Sequence, residues 1–397
     1  MFTSPAWLEP RTAYVHIPFC GHHCGYCDFA VTAGRDHLIE PYLDALTLEL
    51  ERLGSPRPVE SLFLGGGTPT YLTAEQLDRL FAQLDRWLPR VGSEPEVSIE
   101  STPESLTAEK AKVLAAHGVN RVSIGVQSFQ AHLLTALDRR HGVADIPRAV
   151  DAVRKHLPVL SFDLIFAAPG QTNAEWDRDL EAALSFAPDH LSLYGLTYET
   201  GTPLWKDRKR GALKIVGEEE ELSFYRRGIE RLTAAGFEHY EVSNFALPGR
   251  QSIHNRRYWA NEAYYGLGVG AARYVEGSRE LNTRDIVAYI AKLTAGDDPT
   301  FQRETLGPRE RAFETIAVQL RRSEGIGRKS FRIQTGFDVD DLTGDRIAFL
   351  VEQGLLEATA DSLRLTSRGR ELADGVTADL MKSLLTQHEP KASATDV

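Results

Sequence analysis

Cysteine is nearly absent from this sequence. Only three cysteines occur among 397 residues, and all of them fall between positions 20 and 27. An odd number of thiols grouped so tightly excludes a framework of disulfides. Thiols that are this rare and this clustered indicate a metal site instead.

Long apolar runs and an excess of positive charge are missing as well. No apolar run reaches the roughly 18 residues that a membrane span requires, and the first residues lack the basic and then apolar layout of a signal peptide. The formal net charge of -11 argues against a nucleic-acid partner, since phosphate binding needs a basic footprint. We therefore expect a cytoplasmic protein with no transmembrane segment and no nucleic-acid partner.

The first two hundred residues alternate short β-rich runs with segments of helical periodicity. Six strand–helix units in succession predict a parallel sheet with right-handed crossovers, either open or curled into a barrel. Thr73, Thr107 and Asn173 are predicted to cap helices. The predicted strands are Ala13–Ile17, Val59–Leu64, Glu96–Glu100, Arg121–Val126, Leu160–Phe166 and His190–Leu196, and the predicted helices are Leu38–Leu53, Ala74–Leu88, Ala108–His117, Gln130–Leu137, Ala144–His156 and Ala174–Phe186.

The regular alternation stops after about Glu199. A helix over Glu218–Ala235 and a strand over Tyr240–Ser243 are predicted next, and the chain from about Gly307 has the pattern of a mostly helical, winged-helix-like module. We therefore divide the chain into a core (1–200), a connecting region (201–306) and a C-terminal domain (307–397). A winged helix often binds DNA, but a fold alone does not establish a function.

The three cysteines form the pattern CxxxCxxC, directly after the first predicted strand. Three thiolates on one short loop can bind three irons of a cubane cluster, which leaves the fourth iron without a protein ligand. The alternative is a zinc site, but structural zinc sites usually use two separated ligand pairs, which a single compact loop fits poorly. The thiols are Cys20, Cys24 and Cys27, and the candidate fourth zinc ligands are His16, His22 and His23.

Further motifs follow later strands of the predicted sheet. Gly65–Gly67, followed by Thr68, ends the second strand, where glycines let backbone groups approach a ligand closely or simply form a tight turn. Polar residues also lie at the ends of the third and fourth strands, within the fifth strand, and in the helical region that follows the fourth. Each alone is most simply structural, but together they would ring one mouth of the sheet, and they are Glu100, Gln127, Arg139 and Asp163.

The cysteine spacing, with the aromatic Tyr26 before the last cysteine, resembles that of the radical S-adenosylmethionine (radical SAM) superfamily. The resemblance implies an α/β fold with a partial (β/α)₆ barrel and a [4Fe-4S] cluster. It also implies that the open iron binds S-adenosylmethionine (SAM), which the reduced cluster cleaves to a 5′-deoxyadenosyl radical. The coproporphyrinogen-oxidase-like branch implies these cofactor-contacting residues: Tyr14, Tyr26, Gly66, Gly67, Thr68, Glu100, Gln127, Arg139 and Asp163.

A third motif, His254-Asn-Arg-Arg-Tyr-Trp259, has the form HNxxYW. It resembles a signature of the heme chaperones of that branch, the HemW type. An imidazole can bind heme iron, and large aromatic rings can pack on a porphyrin. The alternative is that His254 is a hydrogen-bonded structural residue and that Tyr258 and Trp259 belong to a core.

Two departures from the coproporphyrinogen dehydrogenases favour the chaperone type. Those enzymes read CxxxCxxCxC, whereas Phe29 stands two residues after Cys27, and only thirteen residues precede Tyr14. The resemblance then implies a protein that binds heme and passes it to an acceptor, such as a respiratory-chain hemoprotein, as a monomer or a cluster-dependent dimer. The rival functions are an oxygen-independent coproporphyrinogen III oxidase of porphyrin biosynthesis and a structural zinc protein with a DNA-binding winged helix.

Overall fold

The computed structural model describes Phe2 and residues 4–382. These residues form two compact units. The larger unit contains the described residues up to His239, then Ser243–His254 and Ala263–Glu304, and the smaller contains Tyr240–Val242, Asn255–Glu262 and the described residues from Thr305 onward. The three-part division made from the sequence stays a prediction, and its last fifteen residues, 383–397, lie outside the described part of the chain.

All six predicted strands are present in the larger unit, side by side and parallel in chain order. The register pairs buried residues across the sheet, for example Leu64 with Ile99 and Phe162 with Leu191. Parallel neighbours in chain order with helical crossovers are the arrangement of a partial (β/α)₆ barrel. The strands are Thr12–Ile17, Ser61–Gly66, Glu96–Ser101, Arg121–Gln127, Val159–Phe166 and His190–Gly195.

Three short strands extend this sheet beyond the prediction, to nine strands. Tyr265–Leu267 pairs parallel with the first strand, and Asn244–Ala246 pairs antiparallel with the sixth strand and with Glu238–His239. The predicted strand over Tyr240–Ser243 is wrong, because that segment links two short strands. Within it, Glu241 forms an isolated bridge with Arg322 of the smaller unit, to which it belongs.

The predicted helices follow their strands with small changes at the ends. Thr73 and Thr107 cap helices as predicted, and Thr73 forms a full capping box with Gln76. The prediction for Asn173 is wrong: Thr172 is the cap and forms the box with Glu175, while Asn173 is the first helical residue. The helices are Ile39–Glu51, Ala74–Trp87, Ala108–Ala116, Ala131–Ala136, Asp145–His156 and Asn173–Ser185.

The two faces of the six-stranded region differ in chemistry. One face is apolar and packs in the main hydrophobic core, with members such as Leu62, Val97 and Val122. The other face, which we call the polar face, bears buried hydroxyl, carboxyl, guanidinium and imidazole groups, because side chains alternate along a strand. Its buried polar members include Thr12, Ser61, Glu96, Ser98, Arg121, Ser161, His190 and Ser192.

Other elements complete the larger unit, and one helix, Ile253–Trp259, passes from it into the smaller unit. None of the described helices is long and apolar enough to span a membrane. The remaining helices are Pro203–Lys209, Glu218–Ala234 and Ile286–Thr294, with 3₁₀ turns at Asp36–Leu38 and Pro69–Tyr71. The remaining strands are Phe19–Cys20, Thr32–Ala33, Ala272–Val275, Ser278–Asn282 and Thr300–Thr305.

The smaller unit is mostly helical, as predicted, with four helices before a strand pair and two after it, as in a winged-helix-like module. A third short strand, Ile326–Gly327, joins the pair. The unit has a hydrophobic core of its own, which includes Phe313, Phe331 and Leu363. Its helices are Pro308–Gln319, Arg328–Thr335, Val339–Thr343, Arg346–Glu352, Ser367–Glu371 and Ala373–Leu380, and the strand pair is Leu356–Ala358 and Ser362–Leu365.

Candidate functional site

The three cysteines lie on one loop at the carboxyl end of the first strand. All three line a single cavity of about 400 Å³ in the larger unit, and none of them is in a disulfide. The loop begins at the short strand Phe19–Cys20, which pairs with Thr32–Ala33. The Cys27 amide donates to the Cys24 carbonyl at 3.2 Å, which tightens the turn between them. The loop therefore presents three thiols to one open cavity.

Two of these thiols are poorly placed to ionise unaided. Burial raises the pKa of Cys20 and of Cys27 to about 11. The Thr68 hydroxyl lies 3.5 Å from the Cys20 sulfur, and the Arg139 guanidinium lies 3.4 Å from the Cys24 sulfur. A bound cation would supply the positive charge that thiolates need in such a site.

The arrangement of ligating groups bears on which metal group fits. Among the described residues, no three His, Cys, Asp or Glu side chains are placed to hold one metal ion. A structural zinc ion needs its ligands to converge on one point. In an iron–sulfur cluster, each thiolate binds a different iron. Three thiols on one loop are the ligand set of a cluster with three protein ligands.

Each glycine of Gly65–Gly67 is required by close packing. A Cβ atom on Gly65 would lie 2.8 Å from the carboxyl group of Glu100, and one on Gly67 would lie 2.7 Å from the Ile17 carbonyl oxygen. Gly66 has a φ of 102°, and a Cβ atom added there would clash with the His16 ring. The glycines thus let the second strand end against the cysteine loop, and Gly66, Gly67 and Thr68 line the cavity.

The polar residues at the later strand ends meet at the same cavity, as predicted from their positions. Glu100, Gln127, Arg139 and Asp163 all line it. The Gly66 amide donates to Glu100 at 2.9 Å, and Arg139 donates to the Gly125 carbonyl at 2.8 Å. Burial, with the nearby charge of Asp163, raises the pKa of Glu100 to about 7, and burial also raises the pKa of Asp163.

The cavity wall therefore holds two acids that a cationic ligand would stabilise in their ionised forms. An opposite charge nearby lowers the pKa of a carboxyl group. Such a ligand would replace the solvation that the two acids lose on burial.

Tyr26 also lines the cavity, whereas Tyr14 and His254 are not among its lining residues. The Tyr14 hydroxyl bonds His16 Nδ1 at 3.0 Å. The His254 side chain is 5% exposed and stacks on Phe63, with ring centroids 4.8 Å apart. The centroids of Tyr14 and His254 lie 6.4 Å apart. Iron ligation by His254 stays a prediction. Its buried position agrees with the alternative, in which His254 is a structural residue.

Sequence reasoning did not assign a role in the cavity to its apolar residues. Phe29, Ile165, Tyr194 and Leu196 line it, and Phe29 and Tyr194 are 64% and 41% exposed. Tyr194 follows Ser192 on the same face of the sixth strand, so period-two alternation could have found it. Phe29 was used only to discriminate between two types of protein, although its exposed ring makes it a candidate ligand contact.

Two family patterns match the chain. The pattern of the radical SAM superfamily matches residues 14–183, and that of the HemN C-terminal domain matches residues 306–372. The first match spans the cysteine loop, the glycine run and every strand-end residue named above. The second lies in the smaller unit.

Relatives match nearly the whole length. The chain is 34% identical to the heme chaperone HemW of Bacillus subtilis over 92% of this chain and 98% of that one. It is 37% identical to the heme chaperone HemW of Synechocystis over 81% and 80% of the two chains. It is also 32% identical to the mitochondrial radical S-adenosyl methionine domain-containing protein 1 of Bos taurus over 96% and 90%.

One solved structure has a similar fold throughout. It is the coproporphyrinogen III oxidase HemN of Escherichia coli, described as a radical SAM enzyme, with a TM-score of 0.82. The alignment covers 94% of this chain and 90% of that one, at 23% sequence identity. At that identity the likeness supports the fold, which is the α/β barrel with a helical C-terminal region predicted from the sequence.

Proposed function

The chain belongs to the heme chaperone HemW family of the radical SAM superfamily, and on that basis we propose that it binds heme and transfers it to an acceptor protein. The observation that supports this most directly is the cysteine cavity, in which three thiols, two acids and the exposed Phe29 ring meet. The acceptor we propose is a hemoprotein, such as one of a respiratory chain. We further propose a cytoplasmic location, which suits three free cysteines.

Cys20, Cys24 and Cys27 are the proposed ligands of a [4Fe-4S] cluster. When bound, such a cluster supplies an open iron that can bind a second cofactor, and an electron that can cleave that cofactor. The proposed SAM contacts lie around the same cavity, apart from Tyr14, which is not among its lining residues. Glu100 and Asp163 would face the positive charges of SAM, and Arg139 would remain beside Cys24 to balance the thiolates. The other proposed contacts are Tyr26, Gly66, Gly67, Thr68 and Gln127.

Heme would use the apolar part of the cavity mouth. Phe29 and Tyr194 are exposed aromatic rings on the same cavity as the cysteines, and flat aromatic surfaces suit a porphyrin. The alternative is iron ligation by His254 of the HNxxYW motif, which is not among the cavity's lining residues and would therefore place heme elsewhere. A spectrum of bound heme separates these contacts, because histidine ligation and aromatic packing alone give different iron environments.

The second candidate function is coproporphyrinogen III oxidation, which the fold likeness to HemN favours. That reaction decarboxylates propionate side chains to vinyl groups. The residue that argues against it is Phe29, which stands where the dehydrogenases of this branch have a further cysteine. We therefore propose the chaperone function and test it against the enzyme.

The test is anaerobic reconstitution of the chain with iron and sulfide, followed by two parallel assays in the presence of SAM. Heme should bind with one-to-one stoichiometry, and a heme-depleted hemoprotein should then receive it. Coproporphyrinogen III should not be converted. Vinyl product formed at useful turnover would overturn the chaperone proposal.

Cys24→Ala serves as the internal control for the cluster. It should abolish iron and sulfide incorporation while leaving the fold intact, because Cys24 is partly exposed on a loop. Zinc without iron or sulfide in anaerobically purified wild-type protein would defeat the cluster proposal and favour the zinc alternative.

A further inference from the structure

A chain of polar side chains crosses the polar face of the sheet, from the cysteine cavity to the segment that begins the HNxxYW motif. At the cavity end, Asp163 accepts from the Ser123 hydroxyl at 3.0 Å. The Ser123 and Ser161 hydroxyl oxygens lie 3.1 Å apart. Ser161 in turn bonds His190 Nδ1 at 2.8 Å. Three strands thus contribute consecutive members, because Ser123, Ser161 and His190 are register neighbours.

The chain continues through a buried ion pair. Burial, with a smaller contribution from the charge of the Arg121 guanidinium, lowers the pKa of His190 well below its usual value, so these two buried groups of the polar face interact by charge. Arg121 Nε lies 3.3 Å from the Glu96 carboxylate, and both side chains are only 7% exposed. A buried ion pair of this kind is costly to disrupt, because removal of one partner leaves an uncompensated charge.

Glu96 and Arg121 together hold the backbone of residues 250–254. The Glu96 carboxylate accepts from the amides of Ile253 and His254, at 2.9 and 3.2 Å, and from the Ser252 hydroxyl at 3.0 Å. Arg121 donates to the carbonyls of Arg250 and Gln251, at 2.7 and 3.3 Å. Five polar contacts from two buried side chains therefore fix the start of the motif.

The Ser123 hydroxyl gives this hydrogen-bonded row of side chains two states. A hydroxyl has one hydrogen, so Ser123 can donate to Asp163 or to Ser161 but not to both. A ligand that binds Asp163 changes how strongly Asp163 accepts the Ser123 hydrogen. If that hydrogen turns to Ser161, the hydrogen bond between Ser161 and His190 changes as well. A difference between the two states is what a coupling between sites requires.

We propose that Ser123, Ser161, His190, Arg121 and Glu96 are positioning residues that couple SAM occupancy of the cysteine cavity to the order of residues 250–254. The coupling rests on the proposed function only in that SAM binds at Asp163. It makes the HNxxYW motif responsive to the cofactor, so that the state of the cavity adjusts the segment that precedes and includes His254.

Hydrogen–deuterium exchange of the cluster-reconstituted full chain, with and without saturating SAM, tests this coupling. SAM should slow exchange of the Ile253 and His254 amides by about fivefold or more, the lower end of ordinary coupling between sites. Ser161→Ala removes the link to His190 and should abolish the slowing, although SAM still binds. Ser61→Ala is the matched control, since Ser61 is a fully buried serine of the same face whose hydroxyl bonds Thr12, outside the path from Asp163 to Glu96.

Equilibrium dialysis with SAM on the same samples separates the possible failures. SAM binding without slower exchange in the wild type would overturn the coupling but not the proposed function, and so would equal slowing in Ser161→Ala. Absence of SAM binding would overturn both. If Ser161→Ala does not fold, Ser123→Ala breaks the same chain one residue earlier and should give the same loss.

Discussion

The Glu100 carboxyl group shares a cavity wall with a second acid, Asp163, and receives one backbone hydrogen bond, from Gly66. Burial and the neighbouring acid raise the pKa of Glu100 to about 7 from an ordinary value of 4.5. Between these two values the folded chain holds a proton on this residue that the unfolded chain has already lost. The linkage relation then makes the free energy of unfolding fall as pH rises.

We therefore predict a pH-dependent difference between the wild type and Glu100→Gln. At pH 4 the carboxyl group is protonated in both states, and the two proteins should have similar stabilities. As pH rises from about 4.5 to about 7, the wild type should lose free energy of unfolding relative to the variant, because its unfolded state releases the Glu100 proton while its folded state still holds it, and glutamine has no such proton. Urea unfolding of the cluster-free proteins at a series of pH values measures the difference, and a gap that stays constant would contradict the assignment.

Single residues also show where sequence reasoning reached its limit. The spacing of the cysteines and the positions of the polar residues were enough to predict that Glu100, Gln127, Arg139 and Asp163 lie close together. The reason is that the carboxyl ends of parallel strands share one edge of the sheet. The packing of Gly66 against the His16 ring was not predictable. The hydrogen bonds from residues 252–254 to Glu96 were not predictable either, because these residues lie more than 150 positions after Glu96 in the sequence.

At the scale of elements, the long periodic segments were predicted well and the short ones were not. Helices such as Ala74–Trp87 have an apolar stripe that fixes their extent, and their caps are local signals. The strand Asn244–Ala246 has only three residues and exists because it pairs with the sixth strand. A strand that forms because of a partner so far away in the sequence cannot be predicted from the few residues around it.

The start of the helix Asn173–Ser185 provides a direct test at this scale, because two adjacent residues could cap it. Thr172→Ala removes the hydroxyl that accepts from the Glu175 amide and donates to the Glu175 carboxylate. It should lower the free energy of unfolding by about 1 kcal/mol.

Asn173→Ala should cost less, since this residue is already helical and loses only its bond from the Ser223 hydroxyl. Parallel urea unfolding of both variants measures the order of the two effects. A larger loss of free energy of unfolding for Asn173→Ala would mean that Asn173 caps the helix, as the sequence predicted.

At the scale of the whole molecule, the chain has two main hydrophobic cores rather than one. Every buried member of the larger core belongs to the barrel-containing unit, and Phe162 is among its fully buried side chains. The second core lies wholly within the smaller unit and includes Phe331, also fully buried. Separate cores allow separate unfolding, since each unit can bury its own apolar surface.

Phe331→Ala and Phe162→Ala should therefore have different consequences for the cluster. Either substitution leaves a cavity in a packed core, which costs about 3–5 kcal/mol. Phe162→Ala should destabilise the unit that contains the cysteine loop and reduce iron and sulfide incorporation. Phe331→Ala should increase exchange of the smaller unit's core amides while leaving iron, sulfide and SAM binding unchanged. Hydrogen–deuterium exchange, with iron and sulfide analysis of the same samples, measures both effects.

Loss of the cluster in Phe331→Ala would contradict this independence and show that the two units unfold as one cooperative block. Retention of the cluster would mean that cluster assembly does not require an intact core in the smaller unit. Any effect of Phe331→Ala on heme transfer would then have to act after cofactor binding, at delivery to the acceptor. The same variant therefore separates assembly of the site from its use, because cluster content and heme transfer are measured on one sample.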